Sequence, residues 1–320
     1  MSMVEAYRDT RSNWHCRELA GRKGEKMPNA VSMTAKPSGL AVAEIRPLDG
    51  ALGAEVMGLD LEGIGPGPAL DFLKTAYLRH HVIFLRGQKI SNETMLAIAS
   101  GFGEVQRHLN YREGDRQLPA IHDVTNLDAN GKPSDNPRNN ENYYWHSDKA
   151  YLPNPALLTM LYGIEVPPSG GNTEFADMTR AYESLDAETK RTIDRLKVVH
   201  SWRHMRRTLS NRPLTDEETR AFPDVVHPLV RVHPETGEKN LFLGMYAAEI
   251  VGMPDAEGRQ LLDSLLEHAS QQKFIYAHQW QPGDVVMWDN RCLLHRAVAN
   301  FDRAAHRRIL RRIVVQGAAA

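Results

Sequence analysis

Apolar and polar positions fall into a regular pattern only from about residue 40 onward. Ahead of it, residues 1–38 are polar and aperiodic, with Arg22, Lys23 and Lys26 close together, and read as a disordered extension before one domain spanning 39–320. Leu40–Ile45 and Ala51–Asp60 read as strands, split by Pro47 and Gly50. In Ala69–Arg79 the residues Leu70, Phe72, Leu73, Ala76 and Tyr77 recur at helical spacing. His81–Leu85 is a short apolar run suited to a buried strand, and Ser91 caps a helix running to Gly101. Gln106–Tyr144 is polar and turn-rich, and a loop of that length points to an active-site role.

Strands are then predicted at Tyr144–Lys149, Leu157–Glu165 and Asn172–Asp177, a helix over Ser184–Leu196, and a strand at Val198–Arg203. His227–His233 and Lys239–Gly244 form a hairpin about Pro234–Gly237. Ala256–Ser270 is a helix with Leu261, Leu262, Leu265 and Leu266 on one face. Phe274–Trp280, Asp284–Trp288, Cys292–Ala297 and Arg307–Val315 close the chain as strands. Many short strands with a few helices imply a mainly β fold with α, a jelly-roll core with flanking helices.

Composition narrows the function. With 39 Lys and Arg against 40 Asp and Glu, neither nucleic acid nor an anionic membrane is the expected partner. No apolar run long enough to cross a bilayer is present. Two cysteines, Cys16 and Cys292, exclude a disulfide framework or a cysteine-rich metal site, and point to the reducing cytoplasm.

The chemistry centres on Tyr144-Trp145-His146-Ser147-Asp148. In a strand, positions i and i+2 share a face, so His146 and Asp148 aim at one point while Ser147 turns away. Asp289-Asn290-Arg291-Cys292-Leu293-Leu294-His295 offers His295 as a third donor. Two imidazoles and one carboxylate suit non-haem Fe(II) with open positions, whereas structural zinc would be closed and four-coordinate. Downstream, Arg308, Leu310 and Arg312 share one strand face, which sets two guanidinium groups about 13 Å apart. Each is a natural partner for a carboxylate.

The Trp-His-Ser-Asp run, Gly170-Gly171-Asn172-Thr173-Glu174-Phe175, Trp288-Asp289-Asn290 and the terminal arginines resemble the Fe(II)/2-oxoglutarate-dependent dioxygenases of the taurine dioxygenase and 2,4-dichlorophenoxyacetate dioxygenase group, over about Leu40 to Val315. The resemblance implies a double-stranded β-helix, with iron on His146, Asp148 and His295. It implies that Thr173 hydrogen-bonds 2-oxoglutarate and that Arg308, or its neighbour Arg307, clamps the distal carboxylate. Related halogenases lack the carboxylate, so Asp148 implies hydroxylation, with dioxygen consumed and succinate and CO2 released.

For the substrate, Arg312 points to a small organic anion, and His108, Tyr111 and Asn142 match contacting positions of the taurine branch. The C-terminal half is more similar to the chlorophenoxyacetate branch. An aryloxyalkanoate therefore comes first and a sulfonate or alkyl sulfate second; a homo-oligomer is compatible with either. Two other classes compete: a non-catalytic barrel binding an anion, and a zinc hydrolase. His200-x-x-x-His204 is set aside as a metal pair because arginines surround it, His80-His81 because neighbours in a strand diverge, and Cys292 is read as a small buried filler near the metal.

Overall fold

In the computed structural model the chain divides between residues 39 and 40, and the fold is that of the unit from Leu40 onward. Residues 43–50, 52–106, 120–135, 141–210 and 213–317 are described, so the expected extension at 1–38 lies outside them.

The elements run β1 (Glu44–Pro47), β2 (Ala54–Met57), α1 (Pro68–His80), β3 (Val82–Leu85), α2 (Asn92–Phe102), β4 (Ile121–Thr125), β5 (Ala156–Glu165) and β6 (Thr173–Asp177). Next come α3 (Met178–Glu183), α4 (Ala187–Ile193), β7 (Lys197–His200), α5 (Trp202–Thr208), α6 (Asp216–Ala221), β8 (Val225–Pro228), β9 (Val230–Val232), β10 (Lys239–Leu241) and β11 (Ala247–Ile250). The last are α7 (Asp255–Ala269), β12 (Ile275–His278), β13 (Val285–Asp289), β14 (Leu293–Ala297) and β15 (Ile309–Gln316). The major sheet has the order β1-β2-β3-β13-β5-β15-β4, and among the described residues β2–β3 is its one parallel pair. A minor sheet, β12-β6-β14, faces it.

Strand alternation decides what fills the layers. Phe84, Leu161, Val286, Trp288 and Leu310 of the major sheet meet Phe175 and Leu293 of the minor sheet in one apolar cluster. The alternate residues Ile83, Leu85, Met160, Met287 and Ile313 turn outward onto Leu73 and Tyr77 of α1 and Ile98 of α2. Behind the minor sheet, Ala176 and Leu294 pack on α3 and on Leu262 and Leu265 of α7. Each fully buried leucine contributes about 1.5–3 kcal/mol. The result is a jelly-roll of two facing sheets whose hydrogen bonds do not close into one barrel.

Several expectations need correction. Tyr144–Lys149 is not a strand: only His146 makes a bridge, to His295, and the chain then turns, with Lys149 at φ 58°. The polar stretch before it contains β4, which adds an edge strand to β15. The helix expected over Ser184–Leu196 is present but shorter, as α4, because Asp186 caps its start by accepting from the N–H groups of Glu188 and Thr189; α3 ahead of it was not expected. The strand over Val198–Arg203 ends at His200, because Ser201 Oγ accepts from His204 N and opens α5. His200 and His204 therefore do not share a helix. No helix among the described residues is long and apolar enough to cross a membrane.

Candidate metal centre

His146 and His295 are bound to each other by their main chains, His146 N to His295 O at 3.0 Å and His295 N to His146 O at 2.8 Å. Their rings lie 4.1 Å apart between centroids. Asp148 enters from the turn after His146, and its N–H donates to Asn290 Oδ1 at 3.0 Å. Its Oδ1 is 3.8 Å from His146 Nε2 and its Oδ2 is 3.8 Å from His295 Nε2. One ligand atom from each of the three residues falls within 4.8 Å of the others, and all three are buried. The convergence expected from strand parity is present, but a backbone bridge and a turn produce it.

The protonation states fit a cation. Burial drives both imidazoles below their ordinary pKa, and the Arg312 guanidinium lowers them further. Burial alone would raise Asp148, but the Arg312 guanidinium, the two histidines and the Thr159 hydroxyl outweigh it and hold the carboxyl well below the usual range. His146 Nδ1 lies 2.7 Å from the Tyr144 carbonyl, which requires the proton on Nδ1 and leaves the Nε2 lone pair toward Asp148. No fourth His, Cys, Asp or Glu among the described residues joins the group, so a closed zinc site is not built here. Two nitrogens and one oxygen fit a ferrous ion with open positions.

On β6, next to the strand β14 that carries His295, a cradle of donors forms around Thr173. Arg308 is 7% exposed, and its Nε donates to Gly171 O at 2.9 Å and its Nη2 to Thr173 Oγ1 at 3.2 Å. Burial draws this guanidinium down to about 10, and among the described residues no carboxylate pairs with it. Trp280 Nε1 also donates to Thr173 Oγ1, at 3.0 Å. With two donors on its oxygen, the Thr173 hydroxyl has its own proton left to give to an anion. Gly171 stands at φ +65°, and a Cβ there would lie 3.3 Å from Arg308 Cδ. Arg307 points the other way, to Glu165 on the outer surface.

Arg312 Nη2 reaches Asp148 Oδ1 at 2.5 Å, so the second inward guanidinium stands at the centre itself. Lys149, which no motif in the sequence marks, adds a cation nearby. Its amine is drawn down to about 8, by burial first and by Arg312 next. Lys149 Nζ donates to Tyr151 OH at 3.2 Å, and Tyr151 opens an apolar cluster with Trp202, Phe222, Phe242 and Tyr246. Asn142 sits half-buried in a single 3-10 turn, Glu141–Tyr143, ahead of His146. His108 and Tyr111 lie outside the described residues. Trp280, Lys149 and Thr159 reach the site only through strand pairing and a turn, and carry no local sequence signal.

A second group, His81, His233, Asp289 and Cys292, also brings donors within 4.8 Å. Its carboxylate is spent: Arg291 donates to both oxygens of Asp289, at 2.8 and 2.6 Å, and His233 Nε2 lies 3.1 Å from Oδ2. His233 Nδ1 accepts from two backbone N–H groups. This is a buried ion-pair hub that shapes the β13–β14 turn, and Cys292 fills space within it.

The chain matches the family described as "Taurine catabolism dioxygenase TauD, TfdA family" over residues 44–314. It is 39% identical over 244 residues to an alpha-ketoglutarate-dependent 2,4-dichlorophenoxyacetate dioxygenase of Burkholderia sp. (strain RASC), covering 74% of this chain and 82% of that one. It is 35% identical over 265 residues to an (S)-phenoxypropionate/alpha-ketoglutarate-dioxygenase of Sphingobium herbicidovorans, covering 79% and 88%. Among solved structures, that of AAD-2 in complex with Mn(II) and N-oxalylglycine superposes with a TM-score of 0.77 at 38% identity, covering 87% of this chain and 98% of that one.

Proposed function

We propose a function from one premise: this chain belongs to the TauD/TfdA family of Fe(II)- and 2-oxoglutarate-dependent dioxygenases. His146, Asp148 and His295 hold the iron, Thr173 and Arg308 hold the distal carboxylate of 2-oxoglutarate, and Arg312 with Lys149 receives the anionic end of the substrate. The observation that carries this is the buried three-donor group, already in the protonation states a ferrous ion requires. Iron and 2-oxoglutarate supply the oxidising power, by which dioxygen is consumed, succinate and CO2 are released, and one oxygen is inserted into a substrate C–H bond.

The protein's own part is placement. Arg308 and Thr173 fix the co-substrate by a charge-assisted fork and one hydroxyl. The aromatic cluster next to Lys149 excludes water and offers a surface to an aryl group. The substrate class that fits is an aryloxyalkanoate, hydroxylated at the carbon next to the ether oxygen, so that the hemiacetal collapses to a phenol and glyoxylate. The relatives that act on 2,4-dichlorophenoxyacetate and phenoxypropionate support this order of preference. We place the protein in the reducing cytoplasm, given two cysteines in 320 residues.

Adding Fe(II) and 2-oxoglutarate without oxygen should produce a visible charge-transfer band that is lost in His146→Ala. A folded protein without that band refutes the iron reading. A panel of aryloxyalkanoates, alkanesulfonates and alkyl sulfates, scored by succinate release, then ranks the substrates. A sulfate or sulfonate turned over fastest displaces the aryloxyalkanoate. Unchanged turnover of the best acid in Arg312→Ala removes the anion role from Arg312.

A further inference from the structure

Asp148 is held by a chain of hydrogen bonds whose direction can be deduced. Asn290 lies in the turn between β13 and β14. Trp288 Nε1–H and Asp148 N–H, both donors only, approach the same end of its amide at 3.2 and 3.0 Å, so that end is the oxygen. The other end, Nδ2, then donates to Thr159 Oγ1 at 2.9 Å. Thr159, on β5, passes its single proton to Asp148 Oδ2 at 2.5 Å, the length of a charge-assisted O–H···O bond. Thr159 is 0% and Asn290 1% exposed, so no solvent competes. The turn is itself pinned, with Asn290 N donating to Leu157 O at 2.9 Å and Ser147 Oγ donating to Asn290 O at 2.7 Å.

Arg312 Nη2 stands on the other oxygen, Oδ1, at 2.5 Å. We propose that Thr159 and Asn290 are positioning residues that act through Asp148: the dry Thr159 bond withholds Oδ2, and the carboxylate ligates iron through Oδ1 alone, on the side where Arg312 stands. The proposal rests on the iron reading above. Two imidazoles, a carboxylate bound through both oxygens and a two-point 2-oxoglutarate chelate would fill an octahedron. With one carboxylate oxygen withheld, a position stays open for dioxygen. The Thr159 hydroxyl is thus a device for keeping that position open, built from side chains that never touch the ion.

The test compares wild type, Thr159→Val, Thr159→Ser and Asn290→Asp. Valine keeps the shape and loses the hydroxyl; serine keeps the hydroxyl. Aspartate keeps an acceptor for Trp288 and Asp148 N but invites the Thr159 proton to itself, which deprives Asp148 of the same bond without altering Thr159. Co(II) alone is titrated in and its visible absorption, which reports coordination number, is recorded. The ratio of succinate formed to substrate hydroxylated is measured with Fe(II). Thr159→Val and Asn290→Asp should bind Co(II) about 10- to 100-fold more weakly, with an altered cobalt spectrum and excess succinate, while Thr159→Ser stays near wild type. Folded Thr159→Val with wild-type cobalt affinity and spectrum overturns the proposal. Should the valine variant not fold, Asn290→Asp decides on the same readouts. A wild type that gives no Fe(II)·2-oxoglutarate band marks failure of the iron reading instead.

Discussion

Substituting Arg308 by methionine should make the empty protein slightly more stable and remove most of its affinity for 2-oxoglutarate. The guanidinium is drawn from an ordinary 12.5 to about 10 by burial. That corresponds to about 3 kcal/mol against the charged form at neutral pH. Methionine relieves this, but takes a donor from Gly171 O and from Thr173 Oγ1, at about 1 kcal/mol each. The net change is about 1 kcal/mol in favour of the variant, or roughly 2–4 °C in Tm. Loss of a buried two-pronged contact to a carboxylate costs about 3–5 kcal/mol, and so raises the 2-oxoglutarate Kd by about two to three and a half orders of magnitude. Arg308→Lys restores a point charge without the fork and should remain about tenfold short. Thermal melts without ligand, and anaerobic titration of 2-oxoglutarate followed by the charge-transfer band, measure the two effects separately. A titration midpoint for Arg308→Met within threefold of wild type refutes the assignment of Arg308 as the clamp.

Gly171→Ala forces a Cβ to within 2.8 Å of Pro167 Cγ at a backbone φ of +65°, and should lower stability by about 1–3 kcal/mol in urea unfolding while weakening 2-oxoglutarate binding; loss of neither contradicts the cradle. Asp177, which caps α3, is raised from 3.8 to about 6, chiefly by burial. Its folded form therefore holds a proton that the unfolded form releases, and its favourable contribution, complete below pH 3.8, is lost as pH rises through about 6. Asp177→Asn keeps the cap acceptor without the charge, so it should be more stable than wild type at pH 7.5 by up to about 3 kcal/mol, with the gap closing toward pH 4. An equal gap at both pH values, read by urea unfolding, counts against a desolvated Asp177.

The core strands were legible because their pattern is local. Leu310 and Ile313 alternate between the sheet interface and the helices, and the parity of Leu310 turns Arg312 inward, while Arg307, ahead of the strand, pairs with Glu165. His146, Asp148 and His295 were legible as a set, although the strand invoked to align the first two is absent. What escaped depends on contacts distant in sequence. β4 is a polar edge strand that exists because β15 offers it a partner. The start of α4 at Ala187 rather than Ser184 hangs on Asp186 winning two N–H groups, a contest that apolar periodicity does not register. Thr159 is one unremarked polar residue in an apolar strand, and it gains meaning only when Asn290 and Asp148 fold over it.

The mutual main-chain bonding of His146 and His295 divides the centre into two parts with different evolutionary prospects. The spacing of the imidazoles is inherited from the backbone, so replacing neighbouring side chains leaves it in place. The acidic partner has no such inheritance and hangs from a turn and a few hydrogen bonds. A descendant that traded Asp148 for a smaller residue would keep its nitrogen foothold and gain a vacancy for a halide. New reactivity on this scaffold would thus begin at the carboxylate, with the strands undisturbed.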